Sequence, residues 1–326
     1  RRRWRCSRLP NRLRFGAVDA GPPEDDAASR PDIVGIVADD HRADHLGCAG
    51  RPGIETAAID ALAARGVRFD RAYCQGSTSP AVCLPSRARM ISGRSDWTTP
   101  DWQDARRRPD FPLWPEVLRG AGWRTHHVGK WHGGRPWFDR CFESGSSVLF
   151  GGMGSHTTLP VVDVDPDRAD VRRRLEAYSS DEFADRGAAF IDACATDDDD
   201  RPFVLSLSFT APHDPRTPPD GEDVIRDRAR TIELPPNVLP VHPFDNGEMT
   251  IRDEELVAWP RTPEALREEI ARYDLMIENM DRGIGRVLAT LDRHGLTEDT
   301  LVVFAGDHGL ALGSHGLLGK QNLYEH

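Results

Sequence analysis

Three observations predict an α/β fold. Short apolar runs rich in β-branched residues alternate with helical patterns. Several of those runs end abruptly in charged residues. No internal repeat breaks the alternation over 326 residues, a length that suits one large α/β domain or a domain with a fragment of another.

The elements can be justified in order. "DIVGIVA" (32–38) follows a Pro-containing polar linker and reads as a buried parallel strand. It runs into "DDHRADHLG", and acidic residues just past such a strand lie where open α/β sheets bind ligands. "IETAAIDALAARG" (54–66) reads as an amphipathic helix closed by Gly66. "PLWPEVLRGAGW" (112–123) is a second helix and "RTHHVG" (124–129) a short strand. "SSDEFADRGAAFIDACA" (179–195) begins with Ser/Asp capping signals. "PFVLSLSF" (202–209) is a strand leading into "TAPHDP". The Pro-rich stretch from Pro215 to about Pro263 reads as a surface excursion over a site. One long helical pattern then runs from Thr262–Pro263 to Gly295, and "DTLVVFAGDHG" is again a strand with an acidic end.

Composition removes several function classes. The net charge of −11 argues against non-specific nucleic-acid binding, which needs clustered Lys and Arg. No apolar run approaches a membrane span. Six cysteines show neither paired spacing nor CxxC, which argues against a disulfide framework and a structural zinc site. The first 30 residues are Arg-rich without an apolar signal core; they are expected to stay disordered and give no compartment.

The chemistry gathers at strand ends. Asp39 and Asp40 follow the first strand, and Asp307 and His308 the last. Hard oxygen donors at one sheet edge suit Ca²⁺ or Mg²⁺. "SPAVCLPSRARMISGR" places Cys83 at the start of a helix with Pro85 in its first turn. A helix N-terminus and Arg87 are expected to lower a thiol pKa there. Other polar features are given plainer roles. "DDDD" (197–200) is a solvated loop, His126 and His127 are structural, and His41 and His45 are local polar residues. Trp131 and the aromatics of "RPWFDRCF" are packing residues, and His315 is a candidate for contact with the site.

"CLPSRARMISGR" resembles the Cys-x-Pro-Ser-Arg signature of type I sulfatases in the alkaline phosphatase superfamily. "VADDHRADHLGCAG", "GKWHGG", "APHDP" and "FAGDHGLALGSHGLLGKQNLYEH" are similar to further motifs of that family, in its order, over about 31–326. The resemblance implies a large mixed, mostly parallel sheet flanked by helices. It makes 31–326 the family's catalytic domain, ending short of its final sheet portion and C-terminal subdomain. It implies that a maturation enzyme converts Cys83 to formylglycine, whose hydrated gem-diol attacks the sulfur of a sulfate monoester. Asp39, Asp40, Cys83, Asp307 and His308 would form the metal cluster. Ca²⁺ is the first choice, and the His308 imidazole leaves Mg²⁺ or Mn²⁺ open. Lys130 and Arg87 would stabilise the diol and Lys320 bind the sulfate. His213 would help protonate the leaving group, and His132 would take the proton whose loss expels sulfate. The implied substrate is an aryl sulfate or sulfated carbohydrate. The alternatives are a phosphonate monoester or phosphodiester hydrolase of the same superfamily, or a fragment without turnover.

Overall fold

The computed structural model describes residues 30–74, 82–94, 111–322 and 324–326. All but Arg30 of the N-terminal segment expected to be disordered lies outside them. Pro31–His326 forms one compact unit.

Its centre is a seven-stranded sheet. Numbered along the chain, the strands are β1 (Asp32–Ala38), β2 (Arg124–Lys130), β3 (Ser144–Leu149), β4 (Pro160–Val164), β5 (Val171–Arg174), β6 (Phe203–Ser208) and β7 (Thr300–Gly306). Their order is β5-β4-β3-β2-β6-β1-β7. From β3 to β7 every pairing is parallel, and β4 and β5 add an antiparallel margin. This is the mixed, mostly parallel sheet expected from the sequence. β6 is buried at all six positions, apolar at Phe203, Val204, Leu205 and Leu207 with Ser206 and Ser208 between and after them.

The helices are α1 (Ala57–Arg65), α2 (Cys83–Ser92), α3 (Trp114–Gly120), α4 (Arg135–Cys141), α5 (Ser179–Thr196), α6 (Glu222–Ala229) and α7 (Pro263–Arg293). On one sheet face Val34, Ile36, Val128, Leu205 and Leu207 pack with Phe183 and Ile191 of α5 and Met276, Met280, Ile284 and Val287 of α7. On the other, Ile33 and Val37 of β1 and Leu301 and Val303 of β7 look across a cavity of about 360 Å³ towards Met90, Ile91 and Trp114. Trp131, Trp137, Phe138 and Phe142 are buried together in a separate aromatic cluster, the packing role expected of them.

Several local expectations need correction. Gly66 ends α1 in an extended conformation, not the left-handed one a glycine stop uses. The residue flanking α5 is Tyr178, with no side-chain cap; the Ser179 hydroxyl bonds His156 and Thr210 instead. The Pro-rich excursion contains α6. At α7 the Thr262 hydroxyl does cap, accepting from the Ala265 N–H at 3.2 Å.

Candidate active site

Parallel strands bring their carboxyl ends to one edge, and four neighbours, β2, β6, β1 and β7, deliver the site. Asp39 and Asp40 leave β1, Asp307 and His308 leave β7, Lys130 closes β2, and His213 follows β6. α2 then sets Cys83 at its first position and Arg87 one turn later, and Lys320 enters from the segment after β7. All nine of these residues are buried.

The contacts are close. Cys83 Sγ lies 3.3 Å from His308 Nε2, 3.5 Å from Asp40 Oδ1 and 3.6 Å from Lys320 Nζ. Lys320 donates to both Asp40 oxygens at 2.7 Å. Lys130 Nζ donates to Asp39 Oδ2 at 2.5 Å. Arg87 spans the cluster, reaching Asp39 and Asp307 at 3.2 Å each and the Lys130 carbonyl at 2.9 Å. Asp307 Oδ1 accepts the backbone N–H of Asp40 and of His308, and the Ser86 hydroxyl donates to the Asp307 carbonyl.

Electrostatics here reverse one expectation. The helix N-terminus and Arg87 were expected to lower the Cys83 thiol. Burial, reinforced by Asp39, Asp40 and Asp307, pushes it up to about 11. Burial and three carboxylates outweigh the helix terminus and the nearby cations, so without a bound cation the thiol stays protonated at neutral pH. Burial opposes ionisation of Asp39, but Lys130 and Arg87 overcome it and hold the carboxyl well below its usual range. At Asp40 burial is likewise outweighed, by His213, Lys320 and His308. Burial dominates at Asp307 and raises it. His213 is pushed up to about 9, because Asp40 and Asp39 overcome its burial.

This donor set fits a divalent cation. Ligand atoms of Asp39, Asp40, Cys83 and His308 all lie within 4.8 Å of one another, and all four residues are buried. Two of its four donors are hard carboxylate oxygens, and the cationic side chains now paired with them show how strongly those carboxylates draw positive charge. Asp307 stands beside the group, with Oδ1 3.6 Å from His308 Nε2. Asp40, His213 and Asp214 form a second grouping that shares Asp40.

His132 sits at the margin. Burial, with Lys130 and Arg87, lowers its pKa to about 3, and its ring abuts Gly152, where a Cβ would come within 2.8 Å of Nε2. His315 bonds Asn237 and Glu325 and stacks on Tyr324, and it is not among the groups that meet Cys83. His126 bonds Ser144 and Ser146 and stacks on Phe190, a structural role, as His127 has with Ser206. Sequence reasoning missed the residues that support the site from elsewhere. Both Glu254 oxygens accept from the Leu318 N–H, at 2.9 and 3.1 Å, and Oε1 also accepts from Gly319, which fixes the segment carrying Lys320. Tyr273 donates to the Asp40 carbonyl, and His156 bonds that of His213. No motif marks them, because each acts from an element distant in sequence.

The family model for sulfatases matches residues 31–326. The chain belongs to the sulfatase family. Among curated relatives, the chain is 28% identical to the ulvan-active sulfatase of Formosa agariphila over 90% of its own length and 53% of that protein's. It is 24% identical to the N-acetylglucosamine-6-O-sulfatase of Bacteroides thetaiotaomicron over 93% of this chain and 62% of that one. The chain thus spans between about half and two thirds of the length of these relatives. A solved structure in complex with its substrate D-glucosamine-2-N,6-O-disulfate aligns with a TM-score of 0.69 and 21% identity, covering 91% of this chain and 69% of that one. The phosphonate monoester hydrolase of Agrobacterium radiobacter aligns at 0.61 and 21%, covering 91% and 66%. Both structural likenesses carry the alkaline phosphatase-like fold and no more.

Proposed function

We propose that this chain holds the catalytic core of a sulfuric ester hydrolase, that Cys83 is its nucleophile position after conversion to formylglycine, and that the carboxylate cluster holds one divalent cation. The observation that carries this reading is the setting of Cys83. A single side chain touches His308, Asp40 and Lys320 at once, yet without a cation, burial and three carboxylates push its thiol up to about 11. A cysteine built to attack as thiolate needs the opposite environment. A position that is to carry a hydroxyl beside a cation suits this one.

Asp39, Asp40 and His308, with Asp307 beside them, would hold the cation, with Ca²⁺ first and Mg²⁺ or Mn²⁺ as alternatives. When bound, it supplies charge stabilisation for the sulfate oxygens and acidifies a hydroxyl at position 83. Lys320 would bind a non-bridging sulfate oxygen, since its ammonium already reaches Sγ of Cys83 and stays charged beside Asp40. His213, protonated below about pH 9, would give its Nε2 proton to the departing alcohol oxygen. Arg87 and Lys130 keep Asp39 ionised and position it. His132, neutral above about pH 3, can accept a proton at the margin of the site. Sulfated carbohydrates are the proposed substrates, a reading supported by relatives named for ulvan and N-acetylglucosamine-6-O-sulfate. A formylglycine-generating enzyme is the proposed maturation partner.

A side-by-side assay of 4-nitrophenyl sulfate and a phosphonate monoester, on protein produced with a maturation enzyme, tests the reaction class. Faster sulfate hydrolysis is expected. Faster phosphonate hydrolysis would move the chain to the neighbouring activity, and no turnover of either would leave a fragment that binds anions.

A further inference from the structure

The segment from Asp39 to Ile59 carries two of the cluster carboxylates, and one face of α7 grips it at four places. Tyr273, Asp274, Glu278 and Asp281 fall within about 140° of arc on the helix, at its 100° per residue. Asp274 Oδ1 meets His45 Nδ1 at 2.6 Å. Glu278 accepts from the Glu55 N–H, and Asp281 from those of Ala58 and Ile59. The remaining grip falls on Asp40 itself. The Tyr273 hydroxyl donates to the Asp40 carbonyl at 2.5 Å and accepts from the Arg42 N–H at 2.8 Å. Tyr273 is fully buried, with its ring edge-on to His45 and beneath Arg216.

Asp40 needs that grip. Its φ is 65°, a left-handed conformation uncommon for a residue with a Cβ. Such a backbone persists only where its surroundings over-determine it. Two groups do so here, the Asp307 carboxylate on its N–H and Tyr273 on its carbonyl. The turn they fix aims the Asp40 side chain at Lys320, His308 and Cys83.

We propose that Tyr273 is a positioning residue whose hydroxyl locks the left-handed turn at Asp40 and thereby sets the cluster's affinity for a divalent cation. The inference rests on the reading that the cluster holds such an ion. The test is calorimetric titration of Ca²⁺ into the wild-type protein, Tyr273→Phe and Glu278→Gln, with amide hydrogen exchange at Arg42 measured alongside. Tyr273→Phe is expected to weaken Ca²⁺ binding roughly ten- to a hundredfold, the range for partners that orient a metal ligand, and to speed exchange at Arg42. Glu278→Gln grips the same segment farther on; it is expected to lower the thermal midpoint and leave the Ca²⁺ affinity unchanged. Should Tyr273→Phe fail to fold, Asp274→Asn loosens the same loop at His45 and is expected to weaken Ca²⁺ binding by a smaller factor. Faster Arg42 exchange with unchanged affinity would overturn the proposal while leaving the cation reading intact. Absence of Ca²⁺ and Mg²⁺ binding in the wild-type protein would overturn both.

Discussion

Two ionic clusters in this sheet, one half-buried and one fully buried, differ in kind. At the β3–β4–β5 margin Arg173 lies between Asp163 and Glu182, the Ser147 hydroxyl donates to Glu182, and backbone N–H groups of Ser147 and Glu176 complete the set. Burial opposes every charge there, but the partners overcome it; both carboxyls are lowered and Arg173 is raised. At the carboxyl ends of β1 and β7 three carboxylates crowd one thiol. Asp307 is raised, Cys83 is pushed to about 11 and His213 to about 9. The first cluster is satisfied as it stands; in the second, Lys130, Arg87, Lys320 and His213 hold Asp39 and Asp40 down, yet Asp307 and the Cys83 thiol are still pushed up. Ion pairs that shift each other in their usual directions hold a fold together, whereas crowded like charges that displace their neighbours mark a site.

That contrast can be broken experimentally, beginning where the effect is largest. Cys83→Ala should abolish sulfate-ester turnover while the far-ultraviolet circular dichroism and thermal midpoint stay close to wild type; retained turnover would remove Cys83 from the chemistry. Lys130→Met leaves Asp39 with Arg87 as its direct cationic partner in a fully buried position. It should lower kcat/KM at least about a hundredfold, in the range seen on removing one stabilising group, and destabilise the metal-free protein by about 3 kcal/mol in urea unfolding. Arg173→Met, at the satisfied cluster, should destabilise by about 2 kcal/mol and leave kcat/KM within about twofold in the folded fraction, since nothing there meets the reacting groups. A large loss of kcat/KM in Arg173→Met would erase the distinction between the two clusters.

The smallest effect is in the histidines. Burial lowers His126 and His127 to about 3 from an ordinary value of 6.5. The unfolded chain therefore binds protons that the fold refuses, and these two residues cost stability as pH falls from 6.5 towards 3. His213 has the opposite sign. Its folded value of about 9 lies above 6.5, so its contribution is complete below 6.5 and lost as pH rises to 9. In chelator-treated protein, His126→Phe should flatten the acid side of the thermal-midpoint profile and His213→Gln the alkaline side. The same side changing in both variants would contradict the assignment.

What was legible in the sequence follows from how each element is held. β1, β6 and β7 are short apolar runs ending in polar residues, and β2 is a short run closed by Lys130. All four emerged from the sequence, as did the site residues at their ends. β3, β4 and β5 did not. Ser144–Leu149 reads as small polar residues, and Val171–Arg174 is mostly arginine at the sheet margin, where propensity says little. α6 was hidden in the Pro-rich excursion because eight residues with one buried apolar side chain, Ile225, give almost no periodic signal. The direction of the Cys83 shift was unreadable too. The helix start is written beside the cysteine, but the burial that outweighs it is a product of the fold, and the three carboxylates that add to it come from positions 39, 40 and 307. Tyr273 and Glu254 were equally silent, since a hydroxyl on a helix and a carboxylate in a loop acquire meaning only from the backbone groups they meet.

The central claim is that position 83 carries an oxygen nucleophile made from cysteine. Its most direct test is the mass of the tryptic peptide Ala72–Arg87 from protein produced with a formylglycine-generating enzyme and shown to hydrolyse a sulfate ester. With formylglycine at position 83 the peptide is expected about 18 Da lighter than the thiol form, the change from CH₂SH to CHO. An unmodified cysteine throughout a fully active preparation would contradict the claim.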